Sequence, residues 1–235
     1  MVANVRFKVV RENVHVQLYF KRPLFNWNEV HTRFFEMIYD LLGQRLNVQP
    51  SEFSTNPTNT LGEARAKYNV YGGGSSVSLL ADRIAFEFPS LAPTELPIVH
   101  EIMGKVHDGF RDHFSEIEQG RVEVQDYAHL DIGSQEAVNT FLNRFQVQGV
   151  AEAFGSGVIN VPSAKFTVIS EDGSWQSAIT VERSQMQTSA LFGATQLSLH
   201  KFTPTQSYLE KAGVVFDITK RCLLAVGLEN EDAAT

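Results

Sequence analysis

Residues 65–88 have the sequence RAKYNVYGGGSSVSLLADRIAFEF, which gives the strongest signal for the architecture of this chain. Apolar and polar side chains alternate through most of it, as is typical of strands with one buried face. A glycine-rich segment at 72–76 and the tripeptide Ala81-Asp82-Arg83 divide it into three runs. Short turns between alternating runs predict an antiparallel meander of three strands.

The region before the meander contributes further strands and a helix. Residues 5–9 and 14–20 both alternate, so we predict two strands joined by a hairpin turn at Arg11-Glu12-Asn13. Helical spacing of apolar residues over 27–46 predicts a helix, carried by Val30, Phe34, Met37, Ile38 and Leu41. Residues 47–62 are polar and contain two prolines, so we expect an irregular, exposed connection there.

The same order of elements recurs in the second half of the chain. A strand is expected at 122–132, a helix at 135–145 and a second meander from 158 to about 200. We therefore predict an α+β fold of largely antiparallel meander sheets with three to four helices packed on them. Two related lobes from an internal duplication stay open as an alternative. The halves are 1–118 and 119–235, which we expect to form one composite domain.

Composition and charge limit the classes of function. The chain has 235 residues, of which 43% are hydrophobic and 20% charged, so it can bury a large core and is not disordered. A net charge of -7 disfavours nucleic-acid binding. No apolar run is long enough to span a membrane, and the single cysteine, Cys222, fits a reducing compartment. These features predict a cytoplasmic protein with no nucleic-acid or membrane partner.

Clustered histidines and glycines raise two possible kinds of site. A helix expected at 95–117 carries His100, His107 and His113 among several acidic residues, but His100 and His107 are seven positions apart, about 10 Å along a helix. Since one ion cannot bridge them, we expect a solvated helix face and no metal. The glycine-rich segments 72–76 and 154–158 lack the helix that phosphate loops and nucleophile elbows require, so they are interpreted as turns. No cofactor is expected.

The expected strand at 122–132 carries the best candidate ligand site. Its apolar side chains would face the core, and Asp126 interrupts them, which suggests a bulge or a strand end. The opposite face is either a ligand site or the ordinary solvated face of an antiparallel sheet, the latter being commoner. The polar side chains on it are Glu123, Gln125, Tyr127, His129 and Asp131, and the predicted ligand-binding set is Glu123, Tyr127, His129 and Asp131.

Three functions remain open from the sequence. No catalytic motif stands out, so the leading hypothesis is a non-enzymatic binding protein that acts through self-association or a protein partner. The alternatives are a small-ligand sensor or carrier with a cleft between helices and sheet, and an enzyme with a scattered site. Residues 203–235 are ambiguous, but 212–218 is expected to be a strand; it or residues 5–9 would form a sheet edge for self-association, with Val214 and Phe216 in the contact.

Overall fold

The fold is seen in a computed structural model that describes residues 4–56, 60–70, 74–146, 163–201 and 206–231. Ten strands and four helices occupy these ranges, which confirms the α+β prediction. The helices are α1 (Trp27–Leu46), α2 (Leu96–His113), α3 (Gln135–Asn143) and α4 (Tyr208–Ala225). The strands are β1 (Val5–Phe20), β2 (Phe53–Asn56), β3 (Arg65–Val70), β4 (Ser75–Leu80), β5 (Arg83–Leu91), β6 (Gln119–Asp131), β7 (Ser163–Ile169), β8 (Trp175–Arg183), β9 (Ala190–Leu199) and β10 (Leu228–Asn230).

All ten strands belong to one sheet. Their order is β2-β3-β4-β5-β1-β6-β9-β8-β7, and the neighbours along this order are antiparallel. The short strand β10 pairs in parallel with β1, outside this order. On each side of the central β1–β6 pair the chain order is the same, a first strand followed by a helix and then an outer meander. A common origin of the two halves stays a prediction.

The core lies on one face of the sheet. Alternate side chains of the paired strands point to this face, and buried residues from α1, α2, α3 and α4 pack on them in one continuous cluster. Complete burial of each large apolar side chain contributes roughly 1.5–3 kcal/mol to the free energy of unfolding. The largest fully buried aromatic side chains are Tyr68, Phe34, Phe86, Phe88, Phe110, Phe114 and Phe141.

The hairpin turn predicted at 11–13 is wrong, because residues 5–20 form the single strand β1. Pairing with β6 passes from Val9 opposite Leu130 to Arg11 opposite His129, so Val10 is an extra, bulged residue. One extra residue reverses which positions face the core. The odd-numbered Phe7 is buried before the bulge and the even-numbered Val14 after it. In the sequence, this reversal of the alternating pattern looks the same as a turn between two separate strands.

The polar stretch 47–62 is more ordered than expected. It contains β2, which pairs antiparallel with β3 through Phe53 opposite Tyr68, and two short 3-10 turns at Pro50–Glu52 and Leu61–Glu63. The exposure prediction holds for Ser54–Asn56, whose side chains are exposed. Polar side chains are compatible with β2 because it is an edge strand, where one side is solvated. Residues 57–59 lie outside the described ranges.

The strand predicted at 212–218 is also wrong, since these residues lie inside α4. Ser207 and Glu210 form a capping box at its N-terminus: Glu210 N donates to Ser207 Oγ over 3.3 Å and Ser207 N donates to Glu210 Oε2 over 2.7 Å. The buried positions Lys211, Ile218 and Cys222 follow helical spacing. Residues 5–9 are not a free edge either, because that part of β1 pairs with β10 and β6.

The described helices also bear on the membrane prediction. None of the helices in the described ranges combines the length and the apolar character needed to cross a membrane.

Candidate functional site

The candidate site residues predicted on β6 lie on the sheet face away from the core, and each contacts a neighbour. Glu123 accepts a hydrogen bond from Tyr19 Oη over 3.2 Å and pairs with Arg121. Tyr127 Oη donates to Gln125 Oε1 over 3.0 Å, and His129 Nδ1 lies 2.9 Å from Ser184 Oγ. Asp131 accepts from the backbone N–H of Gly133.

These side chains are partly exposed and spread along the strand. Glu123 and Asp131 are eight positions apart, which is about 26 Å on an extended strand. Such a separation is too long for one small ligand to contact both ends. Ligand binding at Glu123, Tyr127, His129 and Asp131 therefore stays a prediction, and the structure does not bring the whole set together.

Two adjoining cavities lie on the opposite face, between the sheet and helices α2 and α4. The larger has a volume of about 300 Å³ and the smaller about 160 Å³. Strands β1 and β6 line both of them; β9 and β10 add to the wall of the larger cavity and β5 to that of the smaller. The residues common to both cavities are Glu12, His100, Asp126, Phe216 and Thr219.

Glu12 and Asp126 meet where the two cavities adjoin. In the β1–β6 register Glu12 is opposite Ala128 and Asp126 is opposite Val14, so the two acids are diagonal neighbours on the same face. Their carboxyl groups hydrogen-bond to each other. The interruption at Asp126 is therefore neither a bulge nor a strand end, because pairing with both β1 and β9 continues through it. It is a carboxyl group set into the apolar face.

Desolvation of these two partly buried side chains favours a proton on the pair. The pKa of Asp126 is raised well above its ordinary value, first by burial and then by the negative charge of Glu12 and the hydrogen bond to it. Burial also raises the pKa of Glu12, although the hydrogen bond from Asp126 opposes that change. Asp126 is thus the carboxylic acid that donates and Glu12 the carboxylate that accepts.

The pair has no cationic partner among the described residues. None of the ion pairs there includes Glu12 or Asp126. Within the same ranges the buried Oδ1 atom of Asp126 receives no hydrogen bond from an N–H or O–H donor. A buried polar atom without a donor costs about 1–3 kcal/mol of folding free energy. Glu12 is therefore the only side-chain partner of the Asp126 carboxyl group among the described residues.

Apolar side chains surround this polar centre. In the larger cavity the sheet contributes Phe7, Ala128 and Leu130, and α4 contributes Leu223 and Leu224. Polar and charged groups join them from Lys220 on α4 and from Glu229 and Asn230 on β10. A concave apolar wall with a few polar groups is the usual form of a small-molecule site.

A second polar cluster joins α2 to α4 beside the smaller cavity. Lys211 Nζ donates to His107 Nε2 over 2.9 Å and to Gln119 Oε1 over 2.6 Å. His107 Nδ1 in turn donates to Asp108 Oδ1 over 2.8 Å, and the backbone N–H of Tyr208 donates to the same oxygen over 2.9 Å. The imidazole is therefore held with its proton on Nδ1 and its Nε2 free to accept.

The protonation states of this cluster follow from its burial. Burial, followed by the charge of Lys211, lowers the pKa of His107 and keeps the imidazole neutral, although Asp108 opposes this. Burial opposes ionisation of Asp108, but its hydrogen bonds from His107 and Tyr208 outweigh burial and lower its pKa. Burial, aided by the charge of Arg111, lowers the pKa of Lys211 to about 8. Lys211 is the cation of the smaller cavity.

His100 and Tyr208 form the third polar contact of the cavity walls. His100 Nδ1 lies 2.6 Å from Tyr208 Oη, so the two groups share a hydrogen bond between α2 and α4. Burial lowers the pKa of His100 and raises that of Tyr208, so both are neutral at pH 7. The pair is a neutral donor–acceptor contact beside the carboxyl pair.

Metal chemistry has no evident site here, because no three His, Cys, Asp or Glu side chains within the described ranges are grouped to hold an ion. Comparison with protein-family models gives no match, and comparison with curated proteins gives none either. The cavity is therefore the feature of this chain that bears on its function. Its walls can accommodate an apolar group, and its centre can bind a hydrogen-bond donor or exchange a proton.

Sequence reasoning noticed Asp126 but not its role, and it missed Glu12. One feature of the sequence pointed to the site. Asp126 is a charged residue at a position where the alternating pattern of the strand calls for an apolar side chain. The polar residues predicted as a ligand site lie at the alternate positions of the strand, on the sheet face where polar side chains are normal. Glu12 carried no such signal, because the bulge at Val10 changes the phase of β1 just before it.

Proposed function

We propose that this chain binds a small organic ligand in the two adjoining cavities, as a sensor or a carrier. The observation that supports this most is the carboxyl group of Asp126, which lines both cavities and whose buried Oδ1 atom has no donor in the described ranges. A ligand that donates a hydrogen bond would satisfy that oxygen. The proposal replaces protein interaction as the leading function and agrees with the cleft expected between helices and sheet.

The size and lining of the cavities support the same proposal. A volume of about 300 Å³ is at the lower end for small-molecule sites. Elements that pack on one another usually leave little space between them, so a volume of this size between the sheet and its helices is unusual. Polar groups from α2, α4, β1 and β6 converge on it. Such convergence is what distinguishes a binding cavity from a packing fault.

The test is a fragment screen by ligand-observed NMR on the wild-type chain and two variants. Thr219→Phe adds a ring where the cavities adjoin, since Thr219 lines both. Val214→Phe is the matched control, because Val214 is 44% exposed on the same helix and lines neither cavity. We expect fragments that bind the wild type and Val214→Phe but not Thr219→Phe.

The screen also defines failure. If fragments bind all three proteins equally, they bind elsewhere and the cavity proposal is wrong. If none binds at millimolar concentration, the proposal is also rejected. Circular dichroism and melting temperature establish that Thr219→Phe is folded before its result is used.

Self-association remains a second proposal, now through a helix and not a strand edge. Leu209 and Phe216 of α4 are 77% and 62% exposed, and residues seven apart lie on one helix face. Leu209→Lys should lower the mass seen by light scattering if the chain associates, whereas a wild-type mass of 26.3 kDa at high concentration would reject this proposal. A cytoplasmic location also stays a proposal, supported by Cys222 as a buried free thiol.

A further inference from the structure

We propose that the ligand carries an ammonium head group, which binds between the carboxyl groups of Glu12 and Asp126 where the two cavities adjoin. This inference rests on the small-ligand function proposed above and specifies its ligand class. A primary or secondary ammonium joined to a short apolar chain fits the two features of the larger cavity, a carboxyl centre and walls of leucine and phenylalanine. The site itself is formed entirely by residues of this chain.

The charge of the carboxyl pair favours a cation as the ligand. A hydrogen bond between two carboxyl groups takes one proton, so while Glu12 and Asp126 make it the pair carries the charge of one carboxylate. None of the ion pairs within the described ranges includes either acid. An isolated charge in an apolar cavity is strongly unfavourable unless it is paired. An ammonium ion has several N–H donors that can reach both carboxyl groups, including the Oδ1 of Asp126. Its hydrogen bonds to carboxylates are stronger than those between neutral groups.

The exchange balances in atoms and charge. The ammonium ion enters with its charge of +1, the O–H bond of the carboxylic acid breaks, and the proton leaves to the solvent. Two carboxylates and one ammonium remain, so the net charge of the site is unchanged at -1. Binding by this route releases one proton for each ligand bound.

Other charged groups near the cavities do not reverse this preference. His100 is neutral and engaged by Tyr208, and Lys211 donates to His107 and Gln119. Lys220 and Glu229 have opposite charges and line the larger cavity only. An anionic head group at the centre would meet the carboxylate of Glu12. Ca²⁺ takes six to eight oxygen ligands, which is more than the carboxyl oxygens of this pair.

The experiment is isothermal titration calorimetry with hexylammonium chloride, 1-hexanol and sodium hexanoate, which share one chain length and differ in head group. Each is titrated into the wild type at pH 7 in phosphate and in MOPS, which is not a primary or secondary ammonium; the different ionisation enthalpies of the two buffers reveal proton release. We expect hexylammonium to bind at least tenfold more tightly than hexanol, with about one proton released. Hexanoate should bind most weakly, and potassium chloride should release no proton.

Three variants separate the contributions of the two acids. Asp126→Asn should still bind hexylammonium through Glu12 but release no proton. Glu12→Gln with Asp126→Asn should lose at least tenfold in affinity for hexylammonium and retain its affinity for hexanol, which also shows that its cavity is intact. Asp40→Asn is the control, because Asp40 is exposed on α1 and should behave as the wild type.

The outcomes distinguish the two proposals. Equal binding of all three hexyl compounds without proton release would reject the ammonium class and leave the small-ligand function standing. Proton release by potassium chloride would also reject an organic cation as the specific ligand. Failure of all three hexyl compounds to bind, together with a fragment screen that finds no cavity binder, would reject the small-ligand function itself.

Discussion

Lys211 Nζ lies 2.9 Å from His107 Nε2, and this contact joins α4 to α2 inside the core. Lys211→Met would leave His107 Nε2 and Gln119 Oε1 without their buried donor. We expect the free energy of unfolding at pH 7 to fall by about 1–3 kcal/mol, measured by urea denaturation. Lys220→Met is the control, because Lys220 is exposed on the same helix and should change stability by less than about 0.5 kcal/mol.

The same variant should alter the dependence of stability on pH. The pKa of Lys211 is lowered to about 8, so above that pH the native chain loses a proton that the unfolded chain keeps until about pH 10.5. Stability of the wild type should therefore rise relative to Lys211→Met between pH 8 and 10, with a slope of at most about 1.4 kcal/mol per pH unit. Parallel pH profiles for the two proteins would contradict this assignment.

Asp126→Asn should show the opposite dependence at lower pH. Because the pKa of Asp126 is raised in the folded chain, the native state keeps a proton that the unfolded state loses above about pH 4, and wild-type stability falls as pH rises from there. Asp126→Asn has no titratable carboxyl group at this position, so its stability does not fall with rising pH in this way. Its melting temperature should increase relative to the wild type as the pH rises above about 4, at about 2–4 °C per kcal/mol. The exposed Asp40→Asn should follow the wild type throughout.

Phe34 offers a test of the core between α1 and α2. Its side chain is fully buried and packs edge-on against Phe110, with ring centroids 6.3 Å apart. Phe34→Ala should reduce the free energy of unfolding by about 3–5 kcal/mol, since it removes apolar burial and leaves a cavity. Phe25→Ala is the matched control, because Phe25 is 83% exposed. A similar loss in both variants would show that burial is not the cause.

The capping box of α4 can be tested separately. Ser207→Ala removes the oxygen that accepts from Glu210 N, and we expect a loss of about 1 kcal/mol in urea denaturation. Ser207→Asn retains an acceptor and should recover most of that loss. Because α4 forms a wall of both cavities, Ser207→Ala should also weaken any cavity ligand more than Ser207→Asn does. Equal stability of both variants would show that the cap contributes little.

Local periodicity was enough to predict most elements of this fold. The alternation in residues 65–88 corresponds to β3, β4 and β5, and the apolar spacing after Asn26 corresponds to α1, which begins at Trp27. Each of these signals lies within one element. The prediction failed at Val10, where a bulge changed the phase, and in α4, where adjacent Val214 and Val215 favoured a strand locally but packing on the sheet favours a helix.

The candidate site was out of reach for a different reason. Glu12 and Asp126 belong to opposite halves of the chain, and only the pairing of β1 with β6 makes them neighbours. Lys211 and His107 likewise meet only because α4 packs on α2. The sequence pattern within one strand or helix gives no information about such contacts between elements. Among these residues, only Asp126 stood out in the local sequence, because it is charged at a position where the alternating pattern is otherwise apolar.

The three-residue strand β10 is both a ladder partner of β1 and part of the wall of the larger cavity. Leu228 is opposite Val5, and Leu228, Glu229 and Asn230 all line that cavity. Elements held by few contacts open locally at a small fraction of the free energy of global unfolding. Detachment of β10 would therefore widen the larger cavity while the nine other described strands stay paired. A ligand in that cavity would in turn hold β10 against β1.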